Sequence, residues 1–146
     1  MLGLVMLAFA PATASAKARW FGFNDNSTIA HRLTPKQDAK LLARAGANAA
    51  RITVDWSWVQ YQRGGRFNFD FYDPIFRAWR ARGIRPVLVV TGAPKWAWTP
   101  WVWCVASDCH FPPDRSHDAD WQRFVAAVAQ RFPSAVAIEV WNEPNL

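Results

Sequence analysis

Ala137-Ile138-Glu139-Val140-Trp141-Asn142-Glu143-Pro144-Asn145-Leu146 are the last ten residues of the sequence, and their reading decides the fold. The apolar residues up to Trp141 alternate with period two, which is the signature of a short strand. Pro144 carries no amide hydrogen and cannot continue a ladder. An amide, Asn142, and a carboxylate, Glu143, therefore fall where a strand ends. In a parallel sheet with helical crossovers, the carboxyl ends of the strands carry the chemistry.

The segments upstream supply such a sheet. Residues 118–132 place Trp121, Phe124, Val125 and Val128 at helical spacing; these four are core, Pro133 ends the helix and Val136 opens the next strand. Residues 84–90 form the most hydrophobic stretch after the N-terminus, with Pro86 near the start, where a proline is tolerated in a strand. A helix over residues 72–82, with Asp70 as its cap, puts Ile75, Phe76 and Trp79 on one side and stops at Gly83. Residues 48–56 are another strand, the second in chain order. Before it, Thr34-Pro35-Lys36-Gln37 forms a capping box, Ala39, Leu41, Leu42 and Ala45 give a buried stripe, and Gly46 ends the helix. Residues 20–23 form an aromatic strand that stops at Asn24-Asp25-Asn26.

The order is thus β-α-β-α-β-α-β, an α/β fold with a parallel sheet. Asn24, Asp55, Trp56, the segment from Pro94 to Trp96, and Glu143 all lie at strand ends. A nucleotide-binding doubly wound sheet is disfavoured, because the first strand-helix turn has no glycine-rich phosphate loop.

Two charged residues lie inside strands. Arg51 is mid-strand, where a guanidinium is costly unless paired. It either faces solvent or points inward to meet a carboxylate. Glu139 lies four residues before Glu143, about 13 Å along an extended chain, too far to share one reacting carbon with it. It either pairs with Arg51 lower in the fold or meets another arginine nearer the rim.

Apolar content of 51% and ten tryptophans exclude a disordered chain. The formal charge of +6 comes from scattered basic residues with no nucleic-acid motif beside them, so it reads as a solvated surface suited to acidic glycans or cell walls. Residues 1–16 read as an export signal, with an apolar run from Leu2 to Ala10, Pro11, and Ala14-Ser15-Ala16 as the cleavage site, although a basic start is lacking. The run is shorter than the ~20 residues of a membrane span. Cys104 and Cys109 lie in a polar part of the long segment after the third strand. In an exported chain such a pair closes a small loop as a disulfide; a zinc site would need more ligands than His110 supplies. That segment, over twenty residues without helical or strand period, is too aromatic for disorder.

Trp141-Asn142-Glu143-Pro144-Asn145 resembles the strand-four signature of the clan A glycoside hydrolases, which include the family five cellulases and the family thirty-nine enzymes. Arg51-Ile52 resembles the strand-two pair of family five, and Ala93-Pro94-Lys95-Trp96-Ala97 resembles the post-strand-three segment of relatives of family thirty-nine. The resemblance implies a (β/α)8 barrel of which residues 17–146 form the N-terminal half, four strands and three helices.

It also implies a retaining mechanism. Glu143 would be the general acid/base, Asn142 would hold the sugar's 2-hydroxyl, and Arg51 would bind the nucleophile, which this clan takes from strand seven. Retention needs two carboxyl groups about 5–5.5 Å apart, so the chain as given is expected to lack turnover on its own and to need the remainder of the barrel. Trp96, Trp56, Asp55 and Asn24 are the expected substrate contacts, with Trp96 stacking on a sugar ring. No metal or cofactor is implied. The expected partner is a β-linked polysaccharide or oligosaccharide, outside the cell; nucleic acid is not expected. The competing reading is a non-catalytic carbohydrate-binding or wall-associated protein on the same scaffold.

Overall fold

The computed structural model describes residues 19–99 and 111–142. Four parallel strands, β1 (Gly22–Asn24), β2 (Ala49–Asp55), β3 (Arg85–Thr91) and β4 (Ala137–Val140), lie side by side in chain order. The crossovers contain α1 (Pro35–Arg44), α3 (Asp73–Arg80) and α4 (Asp118–Arg131). A single-turn helix, α2 (Trp56–Val59), follows β2 directly. Sequential parallel strands with helices between them are the first half of a (β/α)8 barrel. The three full crossover helices match the expectation, and α2 is an addition that period counting passes over because it is one turn long.

Register follows the side-chain alternation. Asn24 pairs with Arg51, Arg51 with Val87, and Val87 with Ala137. One face of the sheet therefore carries Ile52, Val54, Leu88 and Val90, and these join Ala39, Leu42, Ile75, Phe76, Trp79, Phe124 and Val128 of the helices in one core. The other face carries Arg51, Thr53, Asp55, Val89 and Glu139, the face a closed barrel would turn inward. Gly22 is required where β1 meets β2, since a Cβ there would lie 1.8 Å from the Ala49 carbonyl oxygen.

The α1 start is as read: the Thr34 hydroxyl accepts from the Gln37 amide, and the Gln37 side chain accepts from the Thr34 amide at 3.0 Å. Gly46 adopts φ +79° just past the helix. Asp70, in contrast, does not cap α3. That helix begins at Asp73-Pro74 after Tyr72, without a side-chain cap, and the Asp70 amide donates to Asn68 Oδ1 at 2.8 Å. The segment after β3, read as lacking period, contains a short 3-10 turn over Lys95–Ala97, and a second one over Arg115–His117 leads into α4. No helix among the described residues is long and apolar enough to cross a membrane.

Candidate active site at the strand ends

Arg51 is the centre of the inward face. Its Nε and Nη2 donate to the two oxygens of Glu139 at 2.8 and 2.7 Å, a bidentate pair. Nη1 donates to Asn24 Oδ1 at 3.0 Å and Nη2 to Asn142 Oδ1 at 2.9 Å. One side chain thus ties the end of β1 to β4 and to the residue two beyond it. The bridge has to cross β3, and the register places Val87 and Val89 beneath it. Val89 is fully buried yet does not belong to the helix-side core, as a residue covered from the inner face should be. Of the two partners left open for Glu139, the structure selects Arg51. The hydrogen bonds from Arg51 hold the Glu139 carboxyl below its ordinary range, against the opposing effect of burial.

The end of β4 differs from the reading in its cause. The ladder stops at Val140, before Pro144 can act, because Trp141 takes φ +66°. A left-handed conformation for so large a residue costs roughly 1–2 kcal/mol. The Trp141 amide still donates to Val90 O at 2.9 Å, and the ring meets Trp121 of α4 with centroids 5.9 Å apart. Simple alternation would place Trp141 on the face of Glu139, and it fails at this residue. Asn142 then stands exposed with its side-chain oxygen on Arg51.

Two of the expected substrate contacts are buried. Trp56 is fully buried, stacked on Phe124 at 5.6 Å and 12°, edge-on to Trp96 at 5.2 Å, and its indole N–H donates to Gln60 Oε1 at 2.9 Å. It is core, because α2 folds it under the sheet end rather than over it. Asp55 is 2% exposed, and its Oδ1 accepts from the Ser57 amide at 2.8 Å and the Ser57 hydroxyl at 2.5 Å, capping α2. Its neighbour Gly92 is the residue that sequence reasoning missed. At φ +70°, a Cβ on Gly92 would come within 2.2–2.4 Å of the Asp55 carboxylate. The signal was a Thr-Gly pair at the end of β3, which reads only as a loop start.

Trp96 is partly buried. Its ring lies between Trp56 and His117, edge-on to the latter at 5.5 Å, and its indole N–H is buried without an acceptor among the described residues. His117 Nδ1 lies 3.0 Å from Asp120 Oδ2, and Asp120 also pairs with Arg63 and Arg123. The hydrogen bond from His117, then the two arginines, hold Asp120 below the usual carboxylate range. Glu143, Cys104, Cys109 and the 1–16 segment lie outside the described residues.

No protein-family profile and no curated protein matches the sequence. Solved structures do. The chain is similar to a family 39 glycoside hydrolase from the gut symbiont Bacteroides cellulosilyticus WH2 (22% identity, TM-score 0.61), over 77% of this chain and 22% of that one. It is similar to a beta-glycosidase from Pyrococcus horikoshii (20%, TM-score 0.56; 82% and 26%). A third likeness is to the endoglucanase Cel5A of Pseudomonas stutzeri, solved with cellobiose (18%, TM-score 0.53; 84% and 40%). The chain therefore spans between about a fifth and two-fifths of the length of these proteins. At such identities the likeness establishes the fold alone, part of a (β/α)8 barrel.

Proposed function

We propose that this chain is the N-terminal, acid/base-bearing half of a secreted retaining glycoside hydrolase that cleaves β-linked polysaccharide. The observation that carries the reading is the Arg51 cluster. A mid-strand guanidinium joins Asn24, Glu139 and Asn142 at strand ends, so the residue before Glu143 is held by a charge-assisted bond.

In this reading Glu143 protonates the leaving oxygen and then deprotonates the attacking water. A general acid in this role needs a raised pKa, so that its proton is available at working pH. Asn142 donates through its amide nitrogen to the sugar's 2-hydroxyl while its oxygen stays on Arg51. The nucleophilic carboxylate comes from a later strand of the complete barrel, where Arg51 is its second partner. Residues 17–146 form the half barrel after removal of the 1–16 signal, a disulfide between Cys104 and Cys109 closes the loop after β3, and Trp96 forms part of the cleft wall. Secretion agrees with the proposed signal and with a polymeric substrate that does not enter cells.

The test is hydrolysis of β-glucan, β-mannan and xylan by the complete protein, with product stereochemistry read by NMR. The expected result is retention, with Glu143→Gln lowering turnover by about 10²–10⁴-fold on substrates with poor leaving groups. Residues 17–146 alone are expected to show no turnover. Inversion, or unchanged turnover in Glu143→Gln, would overturn the assignment.

A further inference from the structure

Basic residues that lie scattered along the sequence are gathered by the fold on the helix side of the sheet, the side opposite Arg51. On α1, Lys36, Lys40 and Arg44 recur at every fourth position and are all exposed. On α3, Arg77 and Arg80 are exposed one turn apart, and Arg82 follows just past the helix end. Like charges at these spacings are neighbours on a helix surface and weaken it, whereas interleaved acids would strengthen it. No acid is interleaved here. The α1 acid, Asp38, is buried, and the α3 acid, Asp73, is bonded by Arg131 of α4, whose Nε donates to Asp73 Oδ1 at 3.0 Å. Asp70, before α3, also acts on Arg131. Among the described residues, Lys36, Arg77, Arg80 and Arg82 have no ion-pair partner.

A groove of about 710 Å³ runs between α1 and α3, a volume in the range of sites that take small molecules. Lys36, Arg77 and Arg82 supply its charge, Pro35, Pro74, Ala78 and Ala81 its apolar lining, and no carboxylate lines it among the described residues. Arg77 is shared with a smaller groove on the other side of α3, of about 320 Å³, where Arg80 stands beside it and the one acid, Asp73, is already held by Arg131. A ligand chain crossing α3 therefore meets arginines on both sides of the helix.

We propose that the α1–α3 groove binds a carboxylate-bearing polysaccharide, a chain of uronic acid units. A guanidinium fork donates two parallel hydrogen bonds to one carboxylate, and the forks of Arg77, Arg80 and Arg82 are uncommitted among the described residues. The proline and alanine side chains offer C–H surface for the sugar rings that carry those carboxylates. Single-stranded nucleic acid needs aromatic side chains on which its bases stack, and none lines this groove among the described residues. A membrane surface needs large apolar side chains to bury in it, and no apolar side chain of the groove exceeds proline in size. Because the groove lies on the outer helices, a polymer held there leaves the strand ends open. Binding at the groove does not depend on the function proposed for the cleft.

The experiment is calorimetric titration of the complete protein with polygalacturonate at low ionic strength. Wild type is compared with Arg77→Gln/Arg82→Gln and with Arg32→Gln/Arg66→Gln. Arg32 and Arg66 are exposed and line neither groove, so the second variant loses the same charge elsewhere. The groove variant is expected to bind about tenfold more weakly, given the modest worth of each exposed ion pair, while the control stays within about twofold of wild type. Added salt is expected to weaken binding by wild type. Unfolding midpoints should match in all three proteins, because the substituted side chains are exposed. Absence of binding by wild type, equal loss in the two variants, or no loss in the groove variant would overturn the proposal. So would tighter, equally groove-dependent binding of single-stranded DNA or of phosphatidylserine vesicles, which would make the groove a site for phosphates.

Discussion

Ile52 and Arg51 are chain neighbours on β2, yet they belong to different regions of the molecule. Ile52 is 1% exposed and packs with Leu88, Val90 and the crossover helices, whereas Arg51 bonds to Asn24, Glu139 and Asn142 on the opposite face. The helix-side face is apolar and closed by packing. The inward face is polar and organised by directed bonds. Period-two alternation thus separates the packed core from the polar site, although Arg51 also ties β1 to β4 and Asp55 caps α2 from the inward face. Substitutions on the two faces should separate in the same way, stability on one side and turnover on the other.

The largest effect is expected in the aromatic core below the strand ends. Trp56→Ala removes a fully buried ring from its contacts with Phe124, Trp96 and Trp121. It should destabilise by about 3–5 kcal/mol, read as a shifted midpoint in denaturant unfolding. If Trp56 were instead a sugar contact, the variant would keep its stability and lose only affinity for glycan, and the division between faces would break at this residue.

An intermediate effect is expected at Gly92, where the two regions meet. An alanine there would have to hold φ +70° and push back the Asp55 carboxylate that caps α2. The strain of a left-handed alanine and loss of the cap together amount to about 2–3 kcal/mol. Asp55→Ala alone should cost about 1 kcal/mol of that, and in the Asp55→Ala background Gly92→Ala should cost less than in the wild type. Additive effects would show that Asp55 does not set the requirement for glycine.

Most of the architecture was legible because its signals are local. Thr34 and Gln37 sit at capping-box spacing, Gly46 and Gly83 follow their helices, and Ile75, Phe76 and Trp79 recur at helical period; each can be read within one turn of chain. The site was less legible because it is assembled across the sheet. That Arg51 needed a partner followed from its place in a strand, but the choice of Glu139, 88 residues away, depends on register and on the reach of a guanidinium over β3. Trp56 and Asp55 were placed on the correct strand end, but their burial was not legible, because α2, which Asp55 caps, is too short to show a period. Trp141 shows the same limit, since no local pattern announces a left-handed tryptophan.

The smallest effect on stability, and the finest test of the two-face division, is expected from Glu139→Gln. The substitution keeps the shape and one acceptor for Arg51 but removes the charge. The Glu139 side chain is 42% exposed, so the ion pair is partly solvated and its loss should change stability at neutral pH by less than about 1 kcal/mol. The pH dependence has a definite sign. Because Arg51 holds the Glu139 carboxyl below its unfolded value, its contribution is present above about pH 4.3 and fades as pH falls through the lower, folded value. Wild type should therefore lose a small acid-side increment of stability that Glu139→Gln never had. Turnover should respond more strongly than stability, since an Arg51 released from Glu139 no longer holds Asn142 in one place. A variant with unchanged turnover would mean that Asn24 and the rest of the barrel suffice to fix Arg51, and that Glu139 only neutralises it. A variant that loses turnover while keeping its unfolding midpoint would put Glu139 on the chemical side of the strand, as a positioning residue for the amide next to Glu143.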